Sequence, residues 1–207
     1  MIRKLPIFST IVVAAAIAVM IALGFWQLGR LEEKEALIAR YAAAQAQEGI
    51  SAIYPDRPEA AYTRTMIYCT DPEEVRSVAG RSASGEAGWA QMVRCTFGGP
   101  WPDTAPEDMM PDYVLQPIDV VLGWSRSPQA VEWQGGQVTG TVVPTGELGY
   151  KLVADPPLAG LGANAKPDPK DLPNNHLAYA GQWFFFALVA GVIYVLALRK
   201  RLRDNAG

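Results

Sequence analysis

His176 is the only histidine in 207 residues, and its position is one where an imidazole can meet a metal. Asn174 or Asn175, after Pro173, reads as a helix N-cap. His176 then falls in the first turn, whose positive dipole end suits a neutral ring with a lone pair to give. At helical spacing His176, Tyr179, Ala180, Trp183 and Ala187 share one face. A ligand, then aromatics, then small side chains would make a wall for a flat macrocycle. The plainer reading is equally open: a histidine hydrogen-bonded at a helix end, with aromatics of a membrane-interface belt below it.

A second constellation lies at the other end of the chain. Trp26, Arg30 and Lys34 recur every four residues and so line one helix face, with Gln27 beside them. Two cations one turn apart repel unless an anion, or the nearby Glu33 and Glu35, offsets them. Both constellations border long apolar runs. No charge interrupts Leu177 to Leu198, and about 20 apolar residues rise the ~30 Å of a bilayer core. Arg199, Lys200, Arg201 and Arg203 stop that run. The other run lies between Lys4 and Arg30 with its apolar core at Ile7–Trp26. It exceeds a signal-peptide h-region and lacks a small-x-small cleavage site, so a retained anchor is expected rather than a cleaved leader.

The expected organisation is therefore a membrane protein of the α+β class, two transmembrane helices flanking a small β-rich extracytoplasmic domain. Residues 1–6 form a cytoplasmic N-terminus and 7–28 the first span. Residues 29–48 continue as a helix out of the membrane, since Ala, Leu and Glu dominate to about Ala46 without Gly or Pro after Gly29. Residues 49–173 are the β-rich domain, 174–198 the second span, and 199–207 a basic cytoplasmic tail.

Between the spans there are 12 basic and 20 acidic residues; outside them there are 6 basic residues and the single acid Asp204. Basic residues near span ends set orientation. The first span is ambiguous, with Arg3 and Lys4 facing Arg30, Lys34 and Arg40. The cluster after the second span is not, and it puts both termini in the cytoplasm. A domain this acidic also argues against a nucleic-acid partner. Cys69 and Cys95 fall in the translocated part, where disulfides persist. A bridge between them and a pair of buried thiols are both open. One histidine and two distant cysteines exclude a closed structural zinc site.

Strand-like runs occur at Tyr62–Thr70, Trp89–Phe97, Pro117–Ser125, Gln137–Val143 and Leu148–Ala154. Asp71–Arg81 fits a short helix or a strand. Gly98–Asp112 and Asp155–Pro173 read as loops. Enzyme signatures fail in turn. Gly123-Trp124-Ser125-Arg126-Ser127 lacks the closing glycine of a nucleophile elbow. Gly80, Gly85 and Gly88 have the wrong spacing for a dinucleotide fold. Glu73/Glu74 and Asp108 with Asp112 read as solvated surface charge. No enzyme is expected.

Two segments resemble a known family. Gly24-Phe-Trp-Gln-Leu-Gly-Arg-Leu-Glu-Glu-Lys-Glu-Ala-Leu-Ile38 is similar to the G-x-W-Q-x-x-R-x-x-x-K-x-x-L-I segment of the Surfeit-locus protein one family. Pro173-Asn-Asn-His-Leu-Ala-Tyr-Ala-Gly-Gln-Trp-Phe184 resembles its N-N-H-L-x-Y-A-x-x-W-F signature. Between them, Arg81 to Trp89 echoes R-x-x-x-G-x-x-G-aromatic, and Val121-Leu122-Gly123-Trp124 echoes V-N-R-G-W. Val138–Val143 echoes the strand that follows. Here Val121-Leu122 replaces the family's Asn-Arg and Trp89 its tyrosine, and the cysteine pair is not part of the pattern.

The resemblance implies an assembly factor for haem-copper cytochrome c oxidase in a bacterial plasma (inner) membrane. It implies binding of haem a and its supply to oxidase subunit I, with haem a synthase as a further partner. His176 would ligate the iron, Tyr179 and Trp183 would pack on the ring, and Arg30 with Lys34 would meet the propionates. Trp26 and Gln27 belong to the same expected site. A single histidine gives one chain at most one imidazole ligand, which suits a carrier that must release its cargo. The alternative is a scaffold that holds assembly intermediates by its helices and never touches iron, with Trp26, Arg30 and Trp183 as interface residues.

Overall fold

The computed structural model describes residues 6–51, 57–98, 117–146 and 149–204. Residues 1–5 of the expected N-terminal segment, most of the Gly98–Asp112 loop with Asp108 and Asp112, Leu148, and residues 205–207 of the basic tail lie outside the described residues. The chain falls into two compact units, one of Met1–Ile38 with Leu172–Gly207 and one of Ala39–Asp171.

Helix α1 runs from Ile7 to Gln45 and helix α2 from His176 to Asp204. Both are long and apolar enough to cross a membrane. Within the first unit they lie antiparallel. Thr10 Oγ1 hydrogen-bonds Tyr194 Oη near one end, and Gln27 meets His176 near the other. Small side chains make the close approach: Ala180 and Ala187 of α2 are buried, and Gly24 is the buried residue of α1. A Cβ on Gly24 would stand 2.5 Å from Cε1 of Phe184. Packing of this kind is how apolar helices associate where lipid removes the hydrophobic drive between them.

The second unit is a β-barrel. Its strands are β1 (Arg64–Pro72), β2 (Arg76–Arg81), β3 (Ala87–Gly98), β4 (Ile118–Ser125), β5 (Gly136–Thr145) and β6 (Gly149–Ala154). Asp71–Arg81, open between helix and strand in the sequence, contains β2. It is strand because the first half of β3 offers it a partner, from Arg76 opposite Met92 to Arg81 opposite Ala87. The sheet order is β1-β5-β6-β4-β3-β2, and a further pairing of β1 with the end of β3 closes the wall. Neighbours are antiparallel except β4 and β6, which run parallel through Asp119–Val121 and Lys151–Val153. β5 and β6 approach closely at Gly140, where any Cβ would collide with the Val153 carbonyl.

Alternation fills the interior. Ile67 and Cys69 of β1, Val93 and Cys95 of β3, Ile118, Val120 and Leu122 of β4, Val138 and Val142 of β5, and Leu152 and Ala154 of β6 form one core. Each such Val, Leu or Ile contributes about 1.5–3 kcal/mol by leaving water. The closing seam is short, with Tyr68–Cys69 opposite Phe97–Gly98 and Asp71–Pro72 opposite Cys95–Thr96. Cys69 and Cys95 form a disulfide across it, with Cα atoms 5.5 Å apart.

The Asp155–Pro173 stretch is irregular but tied down. Gly162 pairs with Trp124 and Asn164 with Ser82, and Leu158 and Leu161 pack on the core. At the rim, the Tyr41 and Tyr62 rings lie 5.0 Å apart and Gln45 Nε2 donates to Pro167 O at 2.6 Å, so the last turns of α1 belong to this unit.

Candidate functional site

The helix pair sets the geometry of the polar residues at its end. Asn175 O accepts the Tyr179 N–H at 3.1 Å and opens α2, which leaves His176 in the first turn. Its ring is half-buried, and Nδ1 lies 2.8 Å from Oε1 of Gln27. An amide oxygen only accepts, so Nδ1 is the N–H donor, and in the neutral ring the lone pair then lies on Nε2. Among the described residues Nε2 has no hydrogen-bond partner. A histidine oriented through one nitrogen and open at the other is the usual arrangement of a metal-ligating imidazole.

Below this pair, the interhelical contact is aromatic. Phe25 meets Phe184 edge-on at 5.4 Å, and Phe184 also covers Gly24. Trp183 is half-buried and stands edge-on to Phe186 at 6.3 Å.

The expected site residues divide into two groups. Gln27 and His176 come together directly. Trp26 is 57% exposed and Tyr179 is 49% exposed, and no described hydrogen bond, ion pair or ring contact joins either to His176. Tyr179 thus departs from the face of Ala180 and Ala187, on which Trp183 is only half-buried. Arg30 pairs with Glu33 on the surface of α1, which offsets part of the repulsion with Lys34. Lys34 is half-buried and joins no ion pair among the described residues. Phe25 and Phe184 carry the contact outside the expected site residues; an apolar ring next to a glycine one helix away leaves no mark in the sequence.

In the barrel unit, a cleft of about 630 Å3 is lined by Tyr62, Arg64, Asn164, Lys166 and Lys170 among others. Arg64 is committed to Asp155, bonding its backbone oxygen at 2.7 Å. Burial, followed by the nearby Tyr41, Asp171 and Asp168, raises the Tyr62 pKa above that of an ordinary tyrosine. No group of three or more His, Cys, Asp or Glu converges to hold a metal ion among the described residues.

A family model described as the SURF1 family matches residues 14–188. The chain belongs to the SURF1 family. The match runs from within α1 through the barrel into α2, so it embraces Gln27 and His176 together with the strands between them. No curated protein matches the chain. SURF1 membership implies a role in assembling cytochrome oxidase, and SURF1 proteins are membrane proteins. Assembly factors of the SURF1 family are not enzymes, and some members bind haem.

Proposed function

We propose that this SURF1 protein binds haem a at the outer surface of a bacterial plasma membrane and assists its insertion into cytochrome oxidase subunit I. The observation that supports this most is the Gln27–His176 hydrogen bond, which orients the one imidazole of the chain and frees Nε2 to face iron. Haem a is cargo in this reading, amphiphilic by its isoprenoid tail and two propionates. Trp26 and Tyr179 offer exposed aromatic surface to the ring and Trp183 supports it. Lys34, with Arg30 once Glu33 yields, meets the propionates.

In the same reading residues 7–28 and 174–198 span the bilayer, with 1–6 and 199–207 on the cytoplasmic side. Residues 29–48 carry the helix outward, and 49–173 is extracytoplasmic. The basic cluster after α2 favours this orientation, and the Cys69–Cys95 disulfide favours an oxidising compartment for the barrel. Subunit I is the recipient, and haem a synthase is the donor that the cargo's chemistry calls for.

A test is the visible spectrum of the protein purified from a host that makes haem a. A Soret band is expected, lost or shifted in His176→Ala. Absence of the band, or a band indifferent to that substitution, would leave the scaffold reading, which the large exposure of Trp26 favours.

A further inference from the structure

The far half of α2 carries a feature that haem binding does not use. Ala187, Gly191, Val192, Val195 and Arg199, with Ile17 of α1, line a shallow groove of about 460 Å3. It is hollow because Gly191 has no side chain, and a Cβ there would find only Ile17 Cδ1 at 3.7 Å. Val192 and Val195 remain half-exposed along it. In a bilayer, exposed valines are ordinary. A hollow that is apolar along its length and ends at a single cation is not.

Two properties define the occupant. Ala187 and Arg199 stand about 18 Å apart at ~1.5 Å per residue, close to the ~15 Å depth of one leaflet of hydrocarbon. The groove thus begins near the middle of the membrane and ends where headgroups begin. At that end Arg199 makes no ion pair among the described residues, and Lys200, Arg201 and Arg203 follow it. A partner helix would continue past the middle of the bilayer, where this groove stops. A zwitterionic lipid brings its own cation to Arg199. What fits both the length and the charge is a lipid with an anionic headgroup.

We propose that this groove is a binding site for one anionic phospholipid, its acyl chain along Gly191–Val195 and its phosphate on the Arg199 guanidinium. Arg suits the phosphate because its fork donates two parallel hydrogen bonds. The proposal rests on α2 being a membrane span and is independent of any haem at His176.

The full-length protein in detergent is titrated with phosphatidylglycerol or with phosphatidylcholine of the same acyl chains, and retained lipid is counted by native mass spectrometry. One phosphatidylglycerol should be held in preference to phosphatidylcholine, and Arg199→Gln should weaken it about fivefold. Arg199→Lys, which keeps the charge and loses the fork, should keep the preference for phosphatidylglycerol but hold it more weakly than the parent, and Arg203→Gln, one turn beyond the groove, should leave it in place. Val192→Trp, which fills the hollow and leaves the charge, should displace the lipid. Equal retention of the two lipids, equal effects of Arg199→Gln and Arg203→Gln, or a Val192→Trp protein that still holds the lipid would overturn the site. So would a second polypeptide seated in the groove, such as another copy of this chain, found by crosslinking from position 192.

Discussion

Gln27 Oε1 and His176 Nδ1 lie 2.8 Å apart across two antiparallel helices, so the orientation of one ring depends on a side chain 149 positions away. If Nε2 ligates haem iron, Gln27 is its positioning residue. Gln27→Ala should loosen haem binding about 10–100-fold, as loss of an outer partner does at metal sites. Haem titration of the detergent-solubilised protein reads the affinity, and the Soret position reports whether the ligand geometry shifts with it. An unaltered affinity would remove Gln27 from the site.

Gly24 against Phe184 predicts a steric consequence. A methyl at position 24 would press on three atoms of the ring, the farthest at 2.9 Å. Gly24→Ala should destabilise the helix pair by about 1–3 kcal/mol, the usual penalty of overpacking. Thermal unfolding in detergent measures it, and Phe184→Leu in the same chain should recover part of the loss. Equal stability of Gly24→Ala and the parent would mean that the ring yields without strain.

The closing seam of the barrel predicts a redox dependence. Unreduced protein treated with an alkylating agent should show no free thiol, since the described cysteines are paired. Cys69→Ala with Cys95→Ala should cost about 2–4 kcal/mol by releasing the unfolded chain from its cross-link. Urea unfolding gives the difference, and a midpoint unmoved by the double substitution would show the seam holding by strand pairing alone.

Tyr62 predicts a limit at high pH. Its folded-state pKa is raised, chiefly by burial and next by Tyr41, so the native protein holds the phenolic proton more tightly than the unfolded chain does. The stability this gives is complete below the unfolded value near 10 and is lost as pH rises through the raised one. Above pH ~10 the parent should therefore lose stability more steeply than Tyr62→Phe. Parallel slopes in denaturant titrations between pH ~9 and ~11 would contradict the shift.

Much of this architecture can be read in the residues. The two apolar runs announce α1 and α2, and runs of apolar and β-branched residues bounded by Gly, Pro and Asp mark the five strand-like segments. Asp71–Arg81 stays ambiguous because Ser77-Val78-Ala79 has no strong preference of its own. Pairing with β3 decides it, and that is tertiary information. The closure of β1 on β3 and the parallel β4–β6 pair are likewise set by long-range contacts that local patterns do not carry. At the helix pair the relevant residue types are visible, but their facing is not. Trp26 and Gln27 are neighbours in sequence and differ by about 100° around the axis, so which of them meets His176 depends on how the helices pack.

The place of β6 in the wall has a consequence for how the domain is made. This strand is the last of the six in the chain, yet it is slotted between β5 and β4, both made earlier. Until Ala154 emerges, those two neighbours present bare amide and carbonyl rows, an invitation to any stray strand. A chain that stopped before Gly149 would leave not a smaller barrel but an open, sticky sheet.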